Sequence, residues 1–278
     1  MGMPAALLPY QRRWIADRSP VRIWEKSRRI GASWACAAQS VIEAAQRGGN
    51  DTWYTSYNKE TTAEFVRDCA HWTEVVNAAA ELFEETIVDD ETGEEILTYV
   101  IRFPSGNKIT ALSSKPTNLR NRRGRIIIDE AAFVPDLRET MKAEMDVLMW
   151  GGNVDILSTH NGVDSEYNHI LTECREGRRD YSIHRTTIGD AIADGLFKRI
   201  CFVNHWLWSP EAEEVWLENL LRHYGDDADE ELWCVPRRSG GTFLPRDLLE
   251  DRVIDAPVFR FEAPAGFAKR MDDSRQRE

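Results

Sequence analysis

Two short apolar runs constrain this chain more than any other feature: Arg125-Ile126-Ile127-Ile128-Asp129, and Asn153 to Thr159, which ends in Ser158-Thr159-His160-Asn161-Gly162. Each is near-continuously apolar and stops at polar residues. Strands of this kind are covered on both faces, the condition of central strands in a parallel sheet. The preceding segments keep the same alternation. Val21-Arg22-Ile23-Trp24-Glu25 reads as a strand, Ser33 to Gln46 as an alanine-rich helix stopped at Gly48-Gly49, and Asp51 to Ser56 as a strand. Lys59 to Phe83 reads as one long helix with Phe65, Cys69, Trp72, Val76 and Ala79 or Ala80 on one face. The pattern predicts an α/β fold with a mainly parallel central sheet flanked by helices.

Between Glu84 and Ser114 the period changes to two. Thr86 to Val88, a turn at Asp89 to Gly93, Ile96 to Phe103, a turn at Ser105-Gly106-Asn107, and Ile109 to Leu112 predict an inserted β-meander. Further on, Leu137 to Leu148 reads as helix, Tyr181 to Thr186 as strand, Pro210 to His223 as helix, Asp226 to Glu231 as an acidic turn, and Met271 to Glu278 as a frayed polar end.

With 278 residues, 42% of them hydrophobic, the chain has enough apolar surface for a real core. The formal net charge of −12 excludes a whole-surface basic clamp on nucleic acid and leaves room for a local one. Much of the acid excess sits in Glu81, Glu84, Glu85, Asp89, Asp90, Glu91, Glu94 and Glu95, at a hairpin tip and its flanks; it is a solvated turn or, alternatively, a protein-docking surface. Five cysteines, scattered and in no C-x-x-C spacing, argue against a disulfide framework or structural zinc and fit a reducing cytoplasm. No apolar run approaches the ~20 residues of a membrane span, and the N-terminus does not read as a signal peptide, so a soluble, cytoplasmic protein with no membrane partner is expected. The six histidines are scattered and read as ordinary core or surface residues.

Four segments carry chemistry. Lys26-Ser27-Arg28-Arg29-Ile30-Gly31-Ala32-Ser33 lies between a strand and a helix. A phosphate-binding loop needs converging backbone N–H groups, a helix N-terminus, a lysine, and a hydroxyl for Mg²⁺. Gly31 and Ser33 occupy the second-glycine and hydroxyl positions of G-x-x-x-x-G-K-S, but Ala32 stands where the lysine belongs and Lys26 where the first glycine belongs. A plain basic strand-to-helix turn fits these residues too. Arg125 to Glu130, R-I-I-I-D-E, has the form of a Walker B strand, with Asp129 holding the metal and Glu130 activating water, although an acidic helix start looks similar. It follows the loop by about a hundred residues, the separation of an additional-strand P-loop ATPase. Ser158-Thr159-His160-Asn161-Gly162 places small polar residues where a γ-phosphate is sensed, or merely caps a strand. In Leu8-Pro9-Tyr10-Gln11, the Gln11 amide has the donor and acceptor to pair an adenine edge.

Together and in this order, these segments resemble the large terminase subunits of tailed phages, closest to the Mu-like branch. The resemblance rests on Leu8 to Gln11, Glu25 to Trp34, Leu112-Ser113-Ser114-Lys115-Pro116, Leu119-Arg120 with Arg125 to Phe133, and Ser158 to Gly162, and it covers roughly residues 7 to 245. It implies a RecA-like P-loop NTPase fold over 1–245, followed by a linker or tail over 246–278 with no nuclease domain. It implies Mg²⁺-dependent ATP hydrolysis driving double-stranded DNA into a procapsid, in a homo-oligomeric ring on a portal protein with a small terminase subunit, in the bacterial host cytoplasm. In that family several members carry the loop lysine at its front, so Lys26 implies contact with the β- and γ-phosphates. By the same resemblance Ser33 and Asp129 hold Mg²⁺, Glu130 is the catalytic carboxylate, Arg28 stabilises the transition state, Thr159 and Asn161 with Ser158 couple hydrolysis to movement, and Gln11 reads adenine.

Lys115, Arg120, Arg122, Arg123 and Arg125 form a cationic segment with no acid between residues 113 and 128. In an acidic chain this is the expected phosphate-backbone contact, the alternative being a solvated turn ahead of the strand. Two other functions stay open on sequence alone: a helicase-like nucleic-acid-dependent ATPase, and a non-catalytic prophage remnant that binds DNA or assembly partners.

Overall fold

The computed structural model describes residues 6–77, 80–88, 95–112 and 123–238. In chain order it has α1 (Pro9–Ala16), β1 (Val21–Lys26), α2 (Ala32–Ala45), β2 (Thr52–Ser56), α3 (Lys59–Val75), β3 (Glu81–Val88), β4 (Glu95–Arg102) and β5 (Lys108–Leu112). Then come β6 (Arg125–Asp129), α4 (Leu137–Glu144), β7 (Asn153–Ser158), α5 (Glu166–Arg175), β8 (Ser182–Thr186), α6 (Ile188–Ala193), α7 (Leu196–Asn204), α8 (Pro210–Tyr224) and α9 (Ala228–Glu231). The strands form one sheet in the order β3-β4-β5-β2-β6-β7-β1-β8. From β5 to β8 all neighbours are parallel, while β3, β4 and β5 pair antiparallel, so the meander extends one edge of the parallel sheet. The expected fold class is the observed one.

Strand side chains alternate faces, and both faces are covered. One face carries Trp24, Tyr54, Ile127 and Leu157 against α1, α2, α3 and the C-terminal helices, with Trp14, Ala37, Val41, Phe65 and Leu196 in the same cluster. The other carries Ile23, Ile126, Ile128, Val154 and Ile156 against Leu137, Met141, Tyr167 and Ile170 of α4 and α5. The alanine-rich character of α2 lets it lie close on the sheet: Ala35, Ala37, Ala38 and Ala44 are fully buried.

Three expectations change. The helix beginning at Lys59 ends at Val75, not Phe83, because Asn77 takes a left-handed backbone (φ 51°), a conformation Asn tolerates at a helix end, and the chain then enters β3. Leu137 to Leu148 is α-helix to Glu144, and a 3-10 helix spans Met145–Trp150. The acidic stretch 226–231 is not an open turn but a 3-10 turn running into α9, held down by buried Ala228 and Leu232. The hairpin tip at 89–94, the cations Lys115, Arg120 and Arg122, the boundary expected near 245 and the polar end lie outside the described residues.

Candidate active site

In parallel sheets with helices on both faces, ligands settle at the carboxyl ends of the strands. Here that end gathers the segment after β1, the end of β6 and the end of β7. Between β1 and α2 the backbone turns left-handed twice, at Arg29 (φ 58°) and at Gly31 (φ 75°). Alternation of this kind curls successive N–H groups into an anion-binding concavity. Gly31 is needed for space as well as for φ, since a Cβ there would lie 2.8 Å from Gln11 Nε2. The first turn of α2 has no side-chain cap, so its free N–H groups and the positive end of its dipole face the cleft.

Lys26 closes β1 inside this ring, its side chain only 6% exposed, with Nζ 3.3 Å from Glu130 Oε1. Burial alone pulls its ammonium pKa down, but Glu130 and Asp129 outweigh it and hold the group above its ordinary value. Ser33 Oγ and Tyr54 Oη both donate to Asp129 Oδ2, at 2.6 and 2.8 Å, while Asp129 Oδ1 accepts from Glu130 N at 2.9 Å. Glu130 itself has a left-handed backbone (φ 53°), an uncommon state for a non-glycine residue. Burial pushes its carboxyl up from the ordinary range, and Lys26 opposes the rise.

Lys26, Ser33 and Glu130 line a cleft of about 530 Å³ together with Arg28, Thr159, Phe133, Tyr57, Glu60, Glu64 and Asp68. Burial and the neighbouring Glu64 raise the Asp68 carboxyl to about 6. A somewhat larger hollow of about 610 Å³ lies beside it, lined by Val134, Leu137, Asn161 and Tyr167, but it contains neither Lys26 nor the α2 N-terminus. The smaller cleft has the chemistry for phosphates.

Of the expected site residues, Lys26, Arg28, Arg29, Ile30, Gly31, Ala32, Ser33, Glu130 and Thr159 line this cleft. Asp129 touches it through Ser33, and Ser27 is fully buried behind the loop, its N–H on Thr186 O at 2.8 Å. Ser158 Oγ instead accepts from Ala132 N (3.0 Å) and Asn161 Nδ2 donates to Ala132 O (3.3 Å), so both tie the end of β7 to the segment after Glu130. Arg28 is held by Glu231 of α9 through an ion pair at 2.9 Å and through its backbone N–H on Glu231 O. Arg125 is a correction: it is buried, bonded to Glu43 and Asp155, and faces no solvent phosphate.

Gln11 is engaged within the protein in this arrangement. Its Oε1 accepts from Leu8 N at 2.8 Å and its Nε2 donates to Gly31 O at 2.8 Å, which leaves no amide edge for adenine in this arrangement. It braces the loop, as does Tyr10, whose hydroxyl donates to Ile30 O at 2.5 Å. Sequence reasoning missed Tyr54, Tyr10 and Glu231. A tyrosine in the middle of a strand otherwise covered on both faces was the one available signal for Tyr54.

An all-oxygen pair, the Ser33 hydroxyl and the Asp129 carboxylate, suits a hard cation that completes its shell with water and phosphate oxygens. Those residues fit Mg²⁺.

Residues 23–251 match the family model described as terminase large subunit, T4likevirus-type, N-terminal. The chain is 49% identical over 271 residues to the probable terminase large subunit gp28 of Escherichia phage Mu, covering 94% of this chain and 49% of that one. It therefore spans about half the length of that curated relative. Its fold is similar to the large terminase ATPase domain of Thermus phage P74-26 (TM-score 0.51, 17% identity, 81% of this chain and 92% of that one). It is also similar to the large terminase of another thermophilic bacteriophage, solved in complex with ADP (TM-score 0.58, 12% identity, 82% and 53%). The chain belongs to the terminase large subunit family, and it matches the model of that family's N-terminal region.

Proposed function

We propose that this chain hydrolyses ATP and uses the energy to translocate double-stranded DNA into a procapsid, as the motor region of a phage large terminase. The observation that carries the reading is the convergence, at one end of the sheet, of the uncapped α2 N-terminus, Lys26, the Ser33–Asp129 pair and Glu130. Its assembly into a homo-oligomeric ring, a portal protein and a small terminase subunit as partners, and work in the bacterial host cytoplasm belong to the same proposal.

The residues divide the labour. The N–H groups at the start of α2 and the Lys26 ammonium bind the triphosphate oxygens. Ser33 and Asp129 hold Mg²⁺, which when bound neutralises phosphate charge and polarises the γ-phosphoryl group. Glu130 orients the attacking water and accepts its proton; burial makes it more basic than a solvated carboxylate, which suits that task. The Lys26–Glu130 contact has a consequence for order of events. Phosphate oxygens arriving at Lys26 compete for its ammonium, and Glu130 is then released toward water. Arg28, tethered by Glu231, supplies positive charge to the cleft, and Thr159 faces it from the end of β7.

Steady-state hydrolysis and Mg-ATP binding of Glu130→Gln and Lys26→Ala test this. Glu130→Gln lowers turnover by about 10²- to 10⁴-fold while binding nucleotide; Lys26→Ala loses both. Turnover within a few-fold of the parent in both variants sinks the assignment.

A further inference from the structure

The opposite end of the sheet, where the parallel strands begin, carries a second ordered group of side chains. Arg123, just before β6, lays its guanidinium 5.0 Å from the ring of Trp150. Lys108, at the start of β5, holds Nζ 5.2 Å from the ring of Trp53. Trp53 Nε1 donates to the Arg123 carbonyl at 3.2 Å, so the two cation–aromatic pairs form one row across β5, β2 and β6. Trp53 is buried, whereas Trp150 is 72% exposed and the adjacent Met149 84%. The nearby acid Asp51 has its carboxylate engaged by Lys108 N at 2.9 Å. Among the described residues, neither Arg123 nor Lys108 pairs with a carboxylate.

Exposed Trp150 and Met149 form an uncovered apolar spot next to two cations, in a chain whose net charge of −12 otherwise disfavours anions. Arginine stacked on an aromatic ring keeps its N–H edge free for phosphate oxygens, and the ring offers a flat face to a sugar or base. We infer that the row Lys108–Trp53–Arg123–Trp150 is a contact for the DNA backbone at the N-terminal end of the sheet, away from the nucleotide cleft. It rests on the DNA-translocating reading above and gives that reading a location. Strand β6 runs from this row to Asp129, about 13 Å at 3.3 Å per step, so one buried strand links the two ends.

Fluorescence anisotropy of the full chain with a labelled duplex, and with a single strand of equal length, tests the inference. Measurements across a salt series compare the parent with Arg123→Gln, Trp150→Ala, Trp150→Phe and, as a control on α8, Arg222→Gln. Arg123→Gln is expected to weaken duplex binding several-fold and to reduce the slope of log affinity against log salt by about 0.9, the signature of one lost phosphate contact. Trp150→Ala weakens binding roughly tenfold with the salt slope nearly kept, and Trp150→Phe restores most of it. A stronger effect of Trp150→Ala on the single strand than on the duplex assigns its ring to bases, and the reverse assigns it to the backbone; both support the row as a DNA contact.

Variants matching the parent in affinity and slope on both nucleic acids overturn the inference, as does a parent that binds neither. Self-association of the parent that Trp150→Ala abolishes, with DNA binding unchanged, assigns the surface to a second copy of this chain and also overturns it. Failure here with Glu130→Gln still inactive in hydrolysis leaves the ATPase site standing, so the two readings fail separately.

Discussion

Strands β1, β6 and β7 carry two charged clusters on the same face, separated along the strands by the apolar layer Trp24, Ile127 and Leu157. In the first, Arg22 uses all five of its N–H donors: Nε and Nη2 on Asp155, Nη1 on Trp14 O and Asp17 O, and Nη2 again on Gln39. Arg125 joins the same Asp155 and adds Glu43 of α2. In the second, one hydrogen bond at 3.3 Å to Glu130 is described for the three N–H groups of Lys26. Both clusters are buried and ionic, and both are built from residues at alternate positions of the same strands. They differ in completeness. Where partners saturate every donor, the charge locks strands together; where donors remain and a cleft opens beside them, the charge is kept for a ligand.

Removing one member of each cluster separates them. Asp155→Ala leaves Arg22 and Arg125 buried without their shared anion and is expected to cost about 3–5 kcal/mol in denaturant unfolding. A loss below ~1 kcal/mol breaks the contrast. Acid provides a second view. Burial raises the Asp155 carboxyl, but Arg125 and Arg22 outweigh it and hold it below its ordinary value. A carboxyl depressed in the folded state contributes stability above its unfolded pKa of about 3.9, and that contribution is lost as pH falls through the folded value. Asp155→Asn flattens the acid limb of unfolding free energy against pH; an unchanged limb places the proton uptake elsewhere.

The second cluster behaves oppositely. Lys26→Met with Glu130→Gln removes a buried, half-satisfied ion pair, and replacing such a pair is commonly neutral or stabilising. The double variant is expected to unfold at the same free energy as the parent or up to about 2 kcal/mol higher, while hydrolysis disappears. Thermal melting read beside turnover decides it. Gln11→Ala comes next, at about 1–2 kcal/mol, because it strands Leu8 N and loosens Gly31 O. Nucleotide affinity falls with it as the loop loses its brace; lost affinity with stability kept returns Gln11 to an adenine-reading role, and both kept removes it from the site.

What was legible in the sequence follows the same division. Lys26, Ser33, Asp129 and Glu130 sit at strand ends and a helix start, where local pattern and chemistry coincide. The central strands were legible because apolar runs like Ile126-Ile127-Ile128 have few alternatives. The saturated cluster was not: Arg22 and Asp155 are 133 positions apart, and nothing local marks a charged residue inside a strand as paired. Arg125 was misplaced for that reason, since a cation next to other cations reads as a basic surface until Glu43 and Asp155 are seen beside it. The overlong helix from Lys59 shows the converse limit, because Val76 continues the apolar period and only the backbone at Asn77 ends it.

Tyr54 lies between the two behaviours and carries the smallest expected effect. Its ring is fully buried and stacked on Phe65, with centroids 3.8 Å apart, as a core residue would be. Its hydroxyl reaches the unsaturated cluster at Asp129, and burial, reinforced by that carboxylate, pushes its pKa well up, so it stays a donor. Tyr54→Phe keeps the stack and removes one of three hydrogen bonds described to Asp129, with Ser33 and the Glu130 N–H remaining. The expected stability change is within about 1 kcal/mol, because Phe leaves no new buried polar atom at position 54. The carboxylate, freer to turn, is expected to bind Mg-ATP a few-fold differently, read as a shift in KM with kcat nearly kept. A fall in stability beyond ~2 kcal/mol with unchanged KM places Tyr54 with the saturated cluster and moves the boundary between them one layer toward the cleft.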